Sequence, residues 1–280
     1  MGLVFVPTPL GNLRDVTLRA VDTLRDASLI VAEDSRVARR LLNALAIGGK
    51  EIWTYHEHNA RSTTGAILAR ARAELVAVVT DAGTPGISDP GSALVAAARE
   101  DGVPVEVLPG PAAFVCAAVL SGFELRRFAF AGFPPRGGAA RRAAFRDALA
   151  DTTVWYEAPH RIRESLADLA AVAPDRRVFL VRELTKLHEQ QVAGTAAQVA
   201  AAIEEPVRGE IAFVVEGRAP QTVAPEPPSE AELDAAIDAL SAEGLSTSAI
   251  AKRLAEAGHG ERRHLYARAS DRRGGRPEPR

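Results

Sequence analysis

Three stretches of this chain place glycine and proline directly after short apolar runs, two of them with acidic and hydroxyl side chains as well. The longest is Val76-Ala-Val-Val-Thr-Asp-Ala-Gly-Thr-Pro-Gly-Ile-Ser-Asp-Pro-Gly91. Leu75 to Thr80 is almost wholly apolar, the pattern of a strand buried on both faces. The remainder holds Gly83, Gly86, Gly91, Pro85, Pro90 and the carboxylates Asp81 and Asp89, and leads into a helical pattern from Ser92. In open α/β sheets, ligands sit where such loops leave the carboxyl ends of strands. Glycine lets backbone approach a ligand, and proline shapes the loop in advance. An ordinary connector with Asp89 capping the helix accounts for the same residues equally well.

The second stretch follows Leu3-Val-Phe-Val-Pro7 and runs from Thr8 to Thr17; the third is Val105-Glu-Val-Leu-Pro-Gly-Pro-Ala-Ala-Phe114. Three buried strands ending in such loops predict one crevice lined largely by backbone. None of the three matches GxGxxG or GxxxxGK[ST], which argues against a Rossmann cofactor site and a P-loop. His56 and His58 stand two apart and no HExxH occurs, so a polar loop accounts for them better than half a metal site. Cys116, the single cysteine, excludes an internal disulfide and lies in an apolar run that suits a buried thiol.

The elements that must position these loops alternate. Helical spacing from Leu18 is followed by the apolar run Ser28–Ala32, then an amphipathic helix from Val37 to Leu45 with Asp34 or Ser35 as its N-cap and Gly48-Gly49 as its end. A short strand, Ile52 to Tyr55, and a helix from Arg61 to Glu74 lead to the longest stretch. The alternation predicts a mostly parallel sheet with helices on both sides. The run Phe114–Leu120 closes this first domain. A second set of strands begins at Phe128, followed by strands at Thr152–Glu157, Arg177–Arg182 and Glu210–Glu216. Between them lie the loop from Gly132 to Arg142, rich in glycine, proline and arginine, a helix from Ile162 to Val172 with Pro159 in its first turn, and a capping box at Thr195–Gln198.

The predicted fold is α/β in two domains, residues 1–120 and 121–220, each a sheet flanked by helices. The three prolines of 221–228 read as a linker. A second capping box at Ser229–Glu232 opens a small helical extension over 229–270, with a turn at Gly258-His-Gly260, and 271–280 reads as a disordered tail.

With 280 residues and 47% hydrophobic content, the chain can bury a real core. No segment has the length and apolarity of a membrane span, and no basic region precedes the first apolar run, so a cytoplasmic protein is expected. The net charge of −2 does not announce a nucleic-acid binder, but its distribution is uneven. Residues 218–245 carry one basic and six acidic side chains, whereas 250–280 carry nine basic and four acidic ones. A positive contact face needs only local concentration. The arginines of the 132–142 loop (Arg136, Arg141, Arg142) suit phosphate, as do Lys252, Arg253, Arg262 and Arg263 in the extension; solvated loops and helix faces are the plainer reading.

Eight motifs in register carry a resemblance. They are Pro7-Thr-Pro-Leu-Gly-Asn-Leu13, Ala32-Glu-Asp-Ser-Arg36, Tyr55-His-Glu-His-Asn59, Thr80-Asp-Ala-Gly-Thr-Pro85, Ser88-Asp-Pro-Gly91, Leu108-Pro-Gly-Pro111, Tyr156-Glu-Ala-Pro-His-Arg161 and Arg182-Glu-Leu-Thr-Lys186. Together they closely resemble the small-subunit ribosomal RNA 2′-O-methyltransferases, a branch of the tetrapyrrole methylase superfamily of class III S-adenosylmethionine methyltransferases. The resemblance runs from about Leu3 to Gly217, and the extension also fits. It implies a homodimer that methylates the ribose of a decoding-centre cytidine in 16S rRNA, on the small ribosomal subunit, with no metal.

The resemblance also implies where the cofactor lies: folded between the two domains, against Pro9, Leu10, Gly11, Asp81, Gly83, Thr84, Pro85, Ile87, Pro111, Ala112 and Ala113 on one side. On the other it would meet Tyr156, Glu157, Glu183, Leu184, Gly209, Glu210 and Ile211. Asn12-Leu13 stands where the wider superfamily often has Gly-Asp, and Gly83-Thr-Pro85 where many members have Gly-Asp-Pro. Both departures are those of the ribosomal branch and argue against a porphyrin-type substrate.

Methyl transfer to a ribose hydroxyl needs alignment and a proton acceptor. Asp81, Glu157, Glu183 and His58 are candidates for that base, with Lys186 as stabiliser of the developing alkoxide; the sequence does not choose among them. Arg36, His56, His58 and Arg161 join the arginines above as candidate RNA contacts. Two alternatives remain at this point: a corrinoid-precursor C-methyltransferase of the same fold, and an rRNA-binding assembly factor without catalysis.

Overall fold

In the first five strands, successive residues face opposite sides of the sheet, and in the three central ones both sides are buried. In the computed structural model, which describes residues 1–89, 91–218, 229–272 and 274, the five are β1 (Gly2–Phe5), β2 (Leu29–Ala32), β3 (Glu51–Thr54), β4 (Leu75–Val79) and β5 (Val105–Val107). They form one all-parallel sheet in the order β3-β2-β4-β1-β5. Leu3, Phe5, Leu29, Val31, Val76 and Val78 pack on one face against Ile67, Leu68 and Ala71 of α3 (Ala60–Ala71) and Leu94 and Ala98 of α4 (Gly91–Glu100). Val4, Ile30, Ala32, Ala77 and Val79 pack on the other against Ala20 and Leu24 of α1 (Leu18–Asp26) and Ala38 and Leu42 of α2 (Ser35–Ala44). Because a strand's side chains alternate, burial on both faces demands the unbroken apolar runs that the sequence shows.

Two expectations fail here. β5 is not buried: it is the sheet edge, with Val107 51% exposed. The first loops of the crevice therefore rise from two central strands and one edge strand. Also, α2 ends at Ala44 rather than at Gly48-Gly49; Leu45 caps it and Ala46 takes the left-handed turn at φ 56°.

The second sheet has the order β6-β7-β10-β8-β9, from β6 (Phe128–Gly132), β7 (Thr152–Glu157), β8 (Arg177–Arg182), β9 (Gln190–Thr195) and β10 (Ile211–Val215). Only β6 and β7 pair in parallel. β9 has no counterpart in the sequence reading, because Gln190-Gln-Val-Ala-Gly-Thr195 is polar and half-exposed at the other edge. One face packs on α6 (Gly138–Asp147), α7 (Ile162–Val172) and α8 (Ala196–Ala202) through Phe145, Leu166, Leu169 and Val199. Its other face, with Val154, Phe179, Val181, Ala212 and Val214, packs on Ala117 and Ala118 of α5 (Ala113–Ser121). That packing assigns α5 to the second sheet and moves the division between the two sheets ahead of residue 113, not to residue 120.

Residues Met1–Ala219 form one compact unit by contacts, and Pro220–Arg280 a second. The expected linker, 221–228, lies outside the described residues. In the second unit, Ser229 and Glu232 close the capping box that opens α9 (Glu230–Ala242); α10 (Thr247–Glu256) and α11 (Arg262–Arg272) follow. Ile237, Ile250, Leu254 and Leu265 make its core. Asp271 and Arg272 are helical rather than disordered, because Arg272 reaches Asp234 at 2.7 Å and Asp238 at 2.5 Å on α9. Of the expected tail, residues 273 and 275–280 lie outside the described residues.

Candidate functional site

The three glycine–proline loops are stitched together by backbone. Thr8 and Gly83 exchange N–H···O bonds of 2.9 and 3.1 Å, and the Thr84 hydroxyl donates to the Pro111 carbonyl at 2.8 Å. Gly83 sits at φ 84°, left-handed backbone that a side chain resists, and a Cβ there would meet Leu10 at 3.2 Å. Asp89 accepts from the amides of Gly86 and Gly91 at 2.9 and 2.8 Å, so the capping reading is correct for this carboxylate. α5 begins at the third loop with neither a capping side chain nor an acidic residue in its first turn.

Across from these loops, the β8–β9 connection supplies an ionic wall. Lys186 Nζ donates to Glu183 Oε1 and Glu210 Oε2, both at 2.9 Å, and the Glu210 amide donates to Glu183 Oε1 at 3.1 Å. Glu183 and Thr185 hold φ of 53° and 65° without being glycine. The Asn12 amide donates to Thr185 Oγ1 at 3.2 Å, and a Cβ on Gly11 would fall 2.2 Å from Lys186 Cγ, so the first loop packs directly on this wall.

Between the walls lies a cavity of about 320 Å³. Leu10, Gly83, Thr84, Ile87, Ala112 and Ala113 line it from the first side; Tyr156, Glu157, Leu184, Gly209, Glu210 and Ile211 line it from the second. All twelve were named from sequence. Pro9, Gly11, Asp81, Pro85, Pro111 and Glu183 were named too but do not line it: Gly11 and Pro111 support the wall behind, Glu183 is held by Lys186 and the Glu210 amide, and Pro85 edges a small neighbouring void. Ala82, inside the Asp81–Pro85 run expected to touch the cofactor, also lines it, whereas sequence reading missed Phe114, Phe133, Ala158, Pro159, Val181 and Ala212. Ala158 and Pro159 lie inside a named motif, and Phe114, Val181 and Ala212 are one residue from a named residue or motif, but Phe133 required knowing that the end of β6 reaches this cavity. Pro159 lies before the N-cap Arg161 of α7 rather than in its first turn. Size, backbone lining and small residues fit a cofactor of nucleoside dimensions.

The titratable groups separate. Glu157 is buried and fully used: it accepts from the Ala158 amide at 2.8 Å and the Ser165 hydroxyl at 2.5 Å, with Arg161 at 3.4 Å. The Lys186 hydrogen bond holds Glu183 below the usual carboxylate range, which makes it a poorer proton acceptor. Partial burial opposes the charge of Lys186, but its bonds to Glu183 and Glu210 outweigh this and keep it above its ordinary value. Asp81 moves the other way, raised by desolvation and then by Glu33 and Asp34, whose amide it binds at 3.2 Å. Burial pushes the Tyr156 phenol up to about 12; its oxygen accepts from the Phe114 amide at 3.0 Å. His58 is exposed in the turn after β3, its ring 5.9 Å from that of His56.

Several expected RNA contacts are structural instead. Arg141 and Arg142 lie on α6, not in a loop, and Arg141 is only 4% exposed. Asp168 binds Arg141 and Arg142, each at 2.6 Å. Arg161 donates to the carbonyls of Pro134 and Pro135 at 2.8 and 3.1 Å. Arg36 also pairs with Asp34 at 2.6 Å, but its side chain is 83% exposed and stays open to a further contact. Arg136, Arg262 and Arg263 are exposed and, among the described residues, pair with no carboxylate, whereas Lys252 and Arg253 make only loose pairs of 3.9 Å. No group of three or more metal-ligating side chains occurs among the described residues.

A family model described as Tetrapyrrole (Corrin/Porphyrin) Methylases matches residues 2–200. The chain belongs to this family. As a tetrapyrrole methylase it is a methyltransferase, and S-adenosylmethionine is the methyl donor that the residues of the cavity suit. It is 42% identical over 258 residues to a ribosomal RNA small subunit methyltransferase I of Micromonospora olivasterospora, covering 90% of this chain and 79% of that one. A protein of the same name from Synechocystis sp. is 39% identical, covering 95% and 96%. Among solved structures, a diphthine synthase superposes with a TM-score of 0.60 at 16% identity (76% of this chain, 89% of that one). The uroporphyrin III C-methyl transferase of Thermus thermophilus superposes at 0.55 and 22%, covering 76% and 96%. These two likenesses establish the tetrapyrrole methylase fold.

Proposed function

We propose that this methyltransferase methylates the ribose 2′-hydroxyl of a decoding-centre cytidine in 16S rRNA, using S-adenosylmethionine on the small ribosomal subunit. The observation that carries the reading is near full-length likeness, at 37–42% identity, to relatives named ribosomal RNA small subunit methyltransferase I. The cofactor, when bound, supplies a sulfonium methyl, an electrophile that needs no metal to react. The chain's task is positioning: the stitched loops fix one side of the cavity, and the acceptor oxygen must be held in line with the methyl. As the carbon–oxygen bond forms, the hydroxyl proton must leave. Asp81 is the candidate whose surroundings favour proton uptake, and Lys186 is a fixed cation that offsets developing negative charge on oxygen. The Asp81 assignment requires substrate to reach beyond the cavity lining, towards Glu33 and Asp34. A homodimer working in the cytoplasm belongs to the same proposal.

The test is methyl transfer from labelled S-adenosylmethionine to small subunits lacking modifications, with the nucleosides digested and identified. Labelled 2′-O-methylcytidine is the expected product. Cofactor binding with no label in subunits or naked rRNA would sink the substrate assignment, and corrinoid precursors would be assayed next.

A further inference from the structure

The chain leaves β6 through Gly132, at φ 70°, into Phe133-Pro-Pro-Arg-Gly137. Three successive carbonyls of this short loop are held from below. Arg161 donates to those of Pro134 and Pro135, and Arg141 Nη1 donates to that of Arg136 at 3.2 Å. Both arginines are anchored in turn: Arg141 by Asp168 at 2.6 Å, and Arg161 by Glu157 at 3.4 Å. A buried guanidinium (Arg141) and a half-buried one (Arg161) spent on loop carbonyls, on top of two prolines, make a segment whose shape is fixed in advance.

What this rigid loop presents is unusual for a surface. Phe133 is 52% exposed, yet it lines the cavity, edge-on to Tyr156 with ring centroids 5.8 Å apart. Arg136, three residues on, is exposed and without a carboxylate partner among the described residues. An apolar ring at a cavity rim, with an unpaired guanidinium three residues along the same loop, matches a nucleotide, whose base offers a flat face and whose phosphate offers a charge.

We propose that the Phe133–Gly137 loop receives one unstacked nucleotide of the RNA substrate, with Phe133 stacking on its base and Arg136 pairing with its phosphate. Arg141 and Arg161 are then positioning residues that hold the reader rather than touch RNA. The alternative occupant of the ring is the cofactor's adenine. The half-open position of Phe133 at the rim favours the substrate, since the walls that would enclose a cofactor (Val181, Leu184, Ala212) lie deeper. Replacement stacking also offsets part of the cost of drawing a nucleotide out of structured RNA.

This inference rests on the proposed rRNA activity, and the experiment separates the two. Full-length wild-type, Phe133→Ala, Phe133→Trp and Arg136→Gln proteins are assayed on small subunits, with cofactor affinity measured by calorimetry and folding by thermal melting. Phe133→Ala is expected to raise KM for subunits about tenfold or more, the size of a lost base–aromatic stack. Its cofactor affinity and melting temperature should stay unchanged, and Phe133→Trp should retain wild-type KM. Arg136→Gln should weaken subunit binding and flatten its salt dependence. Unchanged KM in Phe133→Ala, or a parallel loss of cofactor affinity, overturns the loop assignment alone. A wild-type protein that labels no rRNA removes the proposed activity and this inference with it.

Discussion

The two walls of the cavity solve the same problem by different physics. The first, from the loops after β1, β4 and β5, is knit by neutral hydrogen bonds: backbone to backbone between Thr8 and Gly83, and from the Thr84 hydroxyl to the Pro111 carbonyl. The second, from the β8–β9 connection and the approach to β10, is held by charge, with Lys186 between Glu183 and Glu210. A neutral wall has no protonation state, and its left-handed positions are glycine at Gly83 and Gly86 but serine at Ser88. An ionic wall tolerates left-handed Glu183 and Thr185 because other bonds hold them, and it depends on its carboxylates staying ionised. The contrast predicts that the first wall fails sterically and the second electrostatically.

The largest effect is expected at Gly83. Replacing it with Leu adds about 1–2 kcal/mol of left-handed strain and drives a side chain into the cavity beside Leu10. Cofactor binding should vanish from calorimetry while circular dichroism stays that of the native fold; unchanged affinity would remove the first wall from the cofactor site.

Gly209→Ala breaks the second wall at its joint. A Cβ there would lie 2.1 Å from Glu183 Oε1, so the carboxylate must leave both Lys186 and the Glu210 amide. Activity should drop by about tenfold or more, as for a displaced electrostatic group, with cofactor affinity less affected than in Gly83→Leu. Equal losses from the two variants would erase the distinction between the walls.

The same distinction explains what the sequence could and could not reveal. The backbone wall is written locally, in Gly83, Pro85 and Pro111 after apolar runs, and twelve cavity residues were nameable once the motifs were aligned. The ionic wall depends on residues about twenty-five positions apart, Lys186 and Glu210, whose meeting is set by the pairing of β8 with β10. Arginine was the most misleading residue type. Arg141 looked like a loop phosphate clamp, yet the helical start at Gly138 turns it inward to Asp168. Likewise, the acidic and basic segments of the extension partly neutralise each other, since Arg268 and Arg272 of α11 pair with Asp234 of α9. Charge counts see both segments, but not that they zip together. Polar edge strands such as β9 carry too little alternation to be read at all.

The pH response should differ between the walls. Glu183 has a lowered affinity for protons in the fold, so its contribution is present above the ordinary carboxylate range and is lost as pH falls through the depressed value. Wild type should therefore melt higher than Glu183→Gln near neutral pH, and the gap should narrow as the pH is taken down towards about 3. A gap that is constant across that range would mean that the carboxylate's charge contributes nothing to the second wall.

The smallest effect tests the first wall by a single bond. Thr84→Val removes the hydroxyl that donates to the Pro111 carbonyl and keeps the side chain's shape. Its cost in stability should be about 1 kcal/mol, the usual net worth of such a bond, and it should not vary with pH across the range that closes the Glu183 gap. The carbonyl of Pro111 lies just ahead of α5, so slackening it also lets the third loop drift from the second, and cofactor affinity should fall by a few-fold. If Thr84→Val instead showed the acid-dependent melting expected of Glu183→Gln, the first wall would be coupled to the ionic one, and the neutral, purely steric description of it would have to be abandoned.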